Sequence, residues 1–111
     1  MENNLNKNTY ISVISSVATV AASRVEGVAS VTNDSGAMYK LSFKSLSKGI
    51  DIEINNLNQV IINISINIKY GYNVPEVVCM VQEQIKKEVE SNTSYKVRTI
   101  NVNVVGVVIP D

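Results

Sequence analysis

The chain has 111 residues, enough for one domain that builds its core without disulfide or metal. Ten basic and ten acidic residues cancel to a net charge of zero, which removes the general electrostatic pull towards nucleic acid or anionic lipid. Histidine is absent and cysteine occurs once, at Cys79, so Ser–His and Cys–His nucleophile pairs, an intramolecular disulfide and zinc-type cysteine spacings are all excluded.

Residues 1–9 are Asn-rich and polar, unlike a signal peptide, and read as a flexible N-terminal tail before a single domain over 10–111. No apolar run approaches the ~20 residues that cross a bilayer. A cytoplasmic location without direct membrane insertion is the expectation. Asn33-Asp34-Ser35, Asn63-Ile64-Ser65 and Asn92-Thr93-Ser94 match the glycosylation pattern but are chance matches in a chain that is not secreted.

Ser12 is a suitable N-cap. Ile14, Val17, Ala18, Ala21 and Val25 follow at helical spacing, and Gly27 supplies a stop. The first helix is therefore expected over about 12–25. A short strand ending at Tyr10 or Ile11 is left open. Residues 30–48 read as a loop with some local structure. Asn33-Asp34-Ser35-Gly36 is turn chemistry, while Tyr39, Leu41 and Phe43 alternate.

Ile50, Ile52 and Ile54 alternate with Asp51, Glu53 and Asn55. After a turn at Asn56-Leu57-Asn58-Gln59, Ile62, Ile64, Ile66, Ile68 and Tyr70 alternate with polar residues. Two such runs predict an antiparallel hairpin with one apolar and one polar face. A second helix starts after Gly71, with Asn73 as N-cap, Pro75 in the first turn and Glu76 completing a capping-box pattern. Its stripe is Val74, Val77, Val78, Val81, Ile85 and Val89, with Gln82, Lys86, Lys87 and Glu90 assigned to water. A last strand runs from about Tyr95 to Ile109, interrupted by Gly106 as at a bulge.

This order predicts an α+β two-layer sandwich. Two amphipathic helices cover one face of a three- or four-stranded, mainly antiparallel sheet.

Catalytic patterns are weak. Ser45-Leu46-Ser47-Lys48 matches an S-x-x-K motif without its companions. Asp51 and Glu53 point the same way, as acid–base or cation-holding pairs do, but a solvated strand face explains them as well. Cys79 lies off the apolar stripe with no cationic cluster beside it in sequence. The outward strand positions lack the aromatic platforms of RNA-recognition modules, and no G-x-x-G loop occurs. No catalytic residue, cofactor or metal site is expected, nor a nucleic-acid partner.

Four segments together resemble one family. Residues 11–31 (ISVISSVATVAASRVEGVASV) resemble the opening helix and V-E-G-V turn of the alkaline shock protein family, also called the Gls general stress family. Residues 44–54 (KSLSKGIDIEI) resemble its K-S-L-x-K-G lead into the hairpin. Residues 70–90 (YGYNVPEVVCMVQEQIKKEVE) resemble its Tyr-Gly turn and N-x-P-E helix start. Residues 100–108 (INVNVVGVV) resemble its closing strand. The chain departs at Thr93-Ser94, where the family usually carries Thr-Gly. The resemblance implies a non-enzymatic protein of cell-envelope stress in Gram-positive bacteria. In that family some members are held at the inner membrane face by a small membrane anchor protein, and some self-assemble. Others are linked to fatty-acid synthesis through acetyl-CoA carboxylase.

The expectation is therefore a protein-binding scaffold or adaptor, able to form a homo-oligomer, on the cytoplasmic side. A regulator of fatty-acid synthesis is the alternative. Val105, Val107 and Ile109 are the candidate protein-interaction residues, because they break the alternation of the last strand. Packing beneath the tail or the 33–48 loop would explain them equally.

Overall fold

The computed structural model of the protein describes residues 7–32 and 49–109. The elements follow in the order α1 (Lys7–Ser23), β1 (Val28–Val31), β2 (Ile50–Ile54), β3 (Gln59–Lys69), α2 (Val74–Asn92) and β4 (Lys96–Val108). The predicted α+β class holds: two helices and a four-stranded, mostly antiparallel sheet.

The first helix begins at Lys7, not at Ser12, so Ser12 is an interior helical residue and not a cap. Tyr10 and Ile11 are helical, which removes the strand left open there. Tertiary packing is the reason. The Tyr10 ring meets Tyr95 edge-on at 5.4 Å, and Ile11 packs on the core. Neither contact is visible to a local pattern. The fourth strand is instead β1, directly after the Gly27 turn. Gly27 has φ +102°, and a Cβ there would lie 2.8 Å from Val77 Cγ2 and 2.9 Å from Tyr72 Cδ2. The turn therefore needs glycine both for its conformation and for the close approach of α2.

The central strand is β3. On one side it pairs antiparallel with β2, from Ile50↔Ile64 to Ile54↔Val60, as the hairpin pattern predicts. Asn55 builds the turn: its Oδ1 accepts from the N–H groups of Leu57 and Gln59, both at 2.9 Å. Further along the same side β3 pairs antiparallel with β1, from Val31↔Ile66 to Val28↔Ile68. Thr32 N–H donates to Ser65 O at 3.0 Å, and Ser65 N–H donates to Gly49 O at 2.6 Å. β1 and β2 are thus one interrupted strand, which the chain leaves at Thr32 and rejoins at Gly49. The expected loop structure over residues 33–48 lies outside the described residues.

On its other side β3 pairs with β4 in parallel. A parallel neighbour needs a crossover, which α2 supplies. The α2 N-cap is as predicted, with Asn73 Oδ1 accepting from Glu76 N–H at 3.0 Å. Register shifts place extra residues in β4 at Arg98 and Val105, the second beside the Gly106 interruption.

Both helices lie on one face. Val60, Ile62, Ile64, Ile66 and Ile68 of β3 are essentially inaccessible there. They meet Ile14 and Ala18 of α1 and Val81, Ile85 and Val89 of α2 in a single apolar cluster. Burying each such Ile or Val contributes roughly 1.5–3 kcal/mol.

Candidate functional site

The polar face of the sheet carries rows set by the register. Asp51, Asn63 and Asn101 form one row, with Glu53, Ile61 and Thr99 in the row beside it. Asn101 Nδ2 donates to Asn63 Oδ1 at 2.8 Å, which links the two amides of this row. Asp51 and Glu53 are exposed on β2, and the residue opposite each is Asn63 or Ile61, not a second carboxylate. Cys79 is exposed. Its Sγ lies 3.9 Å from Glu83 Oε2, beside a carboxylate and not a cation. No group of three or more His, Cys, Asp or Glu residues that could hold a metal exists among the described residues. The Ser45-Leu46-Ser47-Lys48 motif lies outside them.

The outer side of β4 is built differently along its length. Val97 N–H donates to Glu90 Oε2 at 2.9 Å, and Ile100 O accepts from Gln82 Nε2 at 3.0 Å. Neither backbone group pairs with β3, so both point outwards and side chains of α2 close them. The assignment of Gln82 and Glu90 to water is thereby corrected: both are half-buried and tie the helix to the strand. They stand eight residues apart, about two helical turns, so their shared flank was readable from spacing. Their target, a strand edge, was not. At its other end α2 sits over the Gly27 turn, where Val77 packs. The helix therefore crosses the sheet diagonally. It overhangs the start of β4 and leaves the end of β4 open.

That open end gathers exposed apolar residues. Val107 is 52% exposed, Val108 45%, Ile109 71% and Tyr70 66%. Tyr70 N–H donates to Val108 O at 2.8 Å, which brings the start of the β3–α2 turn against the end of β4. Of the sequence candidates, Val107 and Ile109 belong to this patch, whereas Val105 is the half-buried bulge residue. Tyr70 and Val108 are additional members that strand alternation alone did not single out. Next to them, Tyr72 Oη donates to Glu26 Oε2 at 3.2 Å. This bond and the nearby negative charge raise the phenol above its usual value of 10.0.

The described surface is that of a small two-layer α+β domain, with dispersed ionisable groups and one apolar end. No helix among the described residues is long and apolar enough to cross a membrane. The chain belongs to the alkaline shock protein 23 family, described as having a cell envelope-related function, and matches it over residues 2–109. It is 28% identical over 97 residues to the uncharacterized protein YqhY of Bacillus subtilis (strain 168), covering 86% of this chain and 71% of that one. It is likewise 28% identical over 96 residues to the uncharacterized protein Spy1535 of Streptococcus pyogenes serotype M6, covering 86% and 74%. No solved structure matches the chain at a significant level.

Proposed function

We propose that the protein is a non-enzymatic scaffold or adaptor of the cell envelope, held on the cytoplasmic side by a protein partner such as a small membrane anchor. One contrast on the described surface supports this reading. Carboxylates and the thiol are dispersed, whereas exposed apolar side chains converge at the end of β4. Clustered aromatic and aliphatic residues of this kind are what protein interfaces use as anchors.

Crosslinking in cells, followed by purification of the wild-type chain and of a Tyr70→Ala/Val108→Asp variant, tests it. Both side chains are exposed, so the variant is expected to keep the wild-type circular dichroism. A defined membrane-associated protein should copurify with the wild type and be lost from the variant. Equal recovery from both, or none from either, overturns the reading. A deletion strain with normal tolerance of envelope stress but altered fatty-acid composition would favour control of acetyl-CoA carboxylase instead.

A further inference from the structure

The start of β4 is closed by a device with three matched parts. The first is a bulge. A regular strand turns every second residue to the same side, so Val97 N–H and Ile100 C=O, three residues apart, would face opposite ways. The extra residue at Arg98 shifts the phase, and both groups turn outwards to α2. The second part is spacing. Gln82 and Glu90 stand about 12 Å apart along the axis of α2, and their targets stand about 10 Å apart along β4. Helix and strand run in opposite directions, so Gln82 meets Ile100 and Glu90 meets Val97. The third part is polarity. A carboxylate, which only accepts, is set against the N–H, and an amide turns its donor to the C=O. Exchanging the two residues would leave the C=O facing a group with no proton to give.

Lys86 stands midway between the two caps, four residues from each. It is exposed and lines the shallow cleft of about 220 Å³ between α2 and the start of β4. A lysine at a sheet edge obliges an incoming strand to bury a charge. The backbone groups held by Gln82 and Glu90 are the ones that an added strand would use. Fixing α2 to the sheet does not require them, because Val77, Val81, Ile85 and Val89 are buried beneath the helix along its length.

We infer that the Gln82–Lys86–Glu90 flank of α2 is an edge guard, an autoinhibitory contact that keeps any other chain from adding a strand at the start of β4. The guard acts by occupying backbone groups, not by covering apolar side chains. It is independent of the envelope reading, which rests on Tyr70 and Val108 at the other end of β4.

Amide hydrogen exchange and the association of matched variants test it. In the wild type the Val97 amide should exchange at least about tenfold more slowly than that of Val102, which faces outwards two residues on from Ile100. Glu90→Gln keeps an acceptor and should preserve this protection, whereas Glu90→Leu should abolish it. Gln82→Met/Glu90→Leu opens both groups. It should form sheet-paired species, read by sedimentation and thioflavin T binding, at concentrations at least about tenfold below any at which the wild type does so. Glu83→Leu makes the same change of charge and apolar surface at an exposed residue of α2 whose contact is Cys79, and it should behave as the wild type. Rapid exchange of Val97 in the wild type overturns the inference. So does a double variant that associates no more readily than the wild type, or a Glu83→Leu variant that associates as readily as the double variant. If the double variant does not fold, the exchange of Val97 in Glu90→Gln against Glu90→Leu decides alone, and equal rates overturn the inference.

Discussion

The two sides of β3 solve the same problem in opposite ways. On one side lie β1 and β2, two short pieces of an interrupted strand, whose inward residues Val28, Ile52 and Ile54 are buried while Val31 and Ile50 at the seam are partly buried. On the other lies β4, a continuous strand of 13 residues, whose inward residues Val97, Ile100, Val102 and Val104 remain only partly buried. Continuity of the strand therefore does not decide burial. The helices do. α1 packs against β1, β2 and α2, whereas α2 crosses β4 obliquely and covers only its beginning. The β4 side is covered by α2 only in its first half, and its other half is where the proposed interaction falls.

The strongest test of this contrast is truncation at matched distance from the centre. Ile64→Ala removes a side chain that is 1% exposed and should cost about 3–4 kcal/mol in urea unfolding. Val104→Ala, on the neighbouring strand but only partly buried, should cost about 1 kcal/mol in the monomer. Equal losses would mean that the β4 side is as complete as the β2 side.

Gly49→Ala probes the interrupted strand at its seam. Gly49 has φ +97°, and a Cβ would stand 2.7 Å from the Thr32 backbone. A backbone neighbour cannot rotate away, so a loss of about 2 kcal/mol is expected. Gly71 has a similar φ of +99° but open space around it. Gly71→Ala should cost about 1 kcal/mol, from conformation alone. Chemical denaturation of the two variants separates crowding from φ strain.

The smallest effect is a pH dependence beside the apolar end. The folded protein holds the Tyr72 proton more tightly than the unfolded chain does, because the hydroxyl donates to Glu26. The resulting stabilisation is complete below pH 10 and is lost as pH rises through the raised folded value. Phenolate absorbance of the wild type against Tyr72→Phe should show one tyrosine ionising late. If the difference spectrum shows ionisation at the ordinary phenol value, the Glu26 bond does not persist in solution.

Much of this fold was legible locally. Period-two alternation in 50–54 and 60–68 fixed which side chains face the helices. Asn73 and Pro75 marked the start of α2 within a residue. The 3.6-residue stripe of Val77, Val81, Ile85 and Val89 fixed its buried face. These signals are legible because side-chain direction follows from backbone geometry over a few residues. The family resemblance was carried by the same local segments.

Other features depend on distance and direction between elements. The start of α1 at Lys7 rests on Tyr10 meeting Tyr95. The strand β1 is too short to show a period and exists because β3 offers it an edge. The parallel placement of β4 depends on the path of α2 across the sheet. The roles of Gln82 and Glu90 depend on the same diagonal, because a polar residue on a helix flank looks the same in sequence whether it meets water or a strand edge. The sequence by itself determined the elements, their inward faces and the family. Only the tertiary structure decided how much of β4 lies under α2, because that depends on the path of the helix across the sheet.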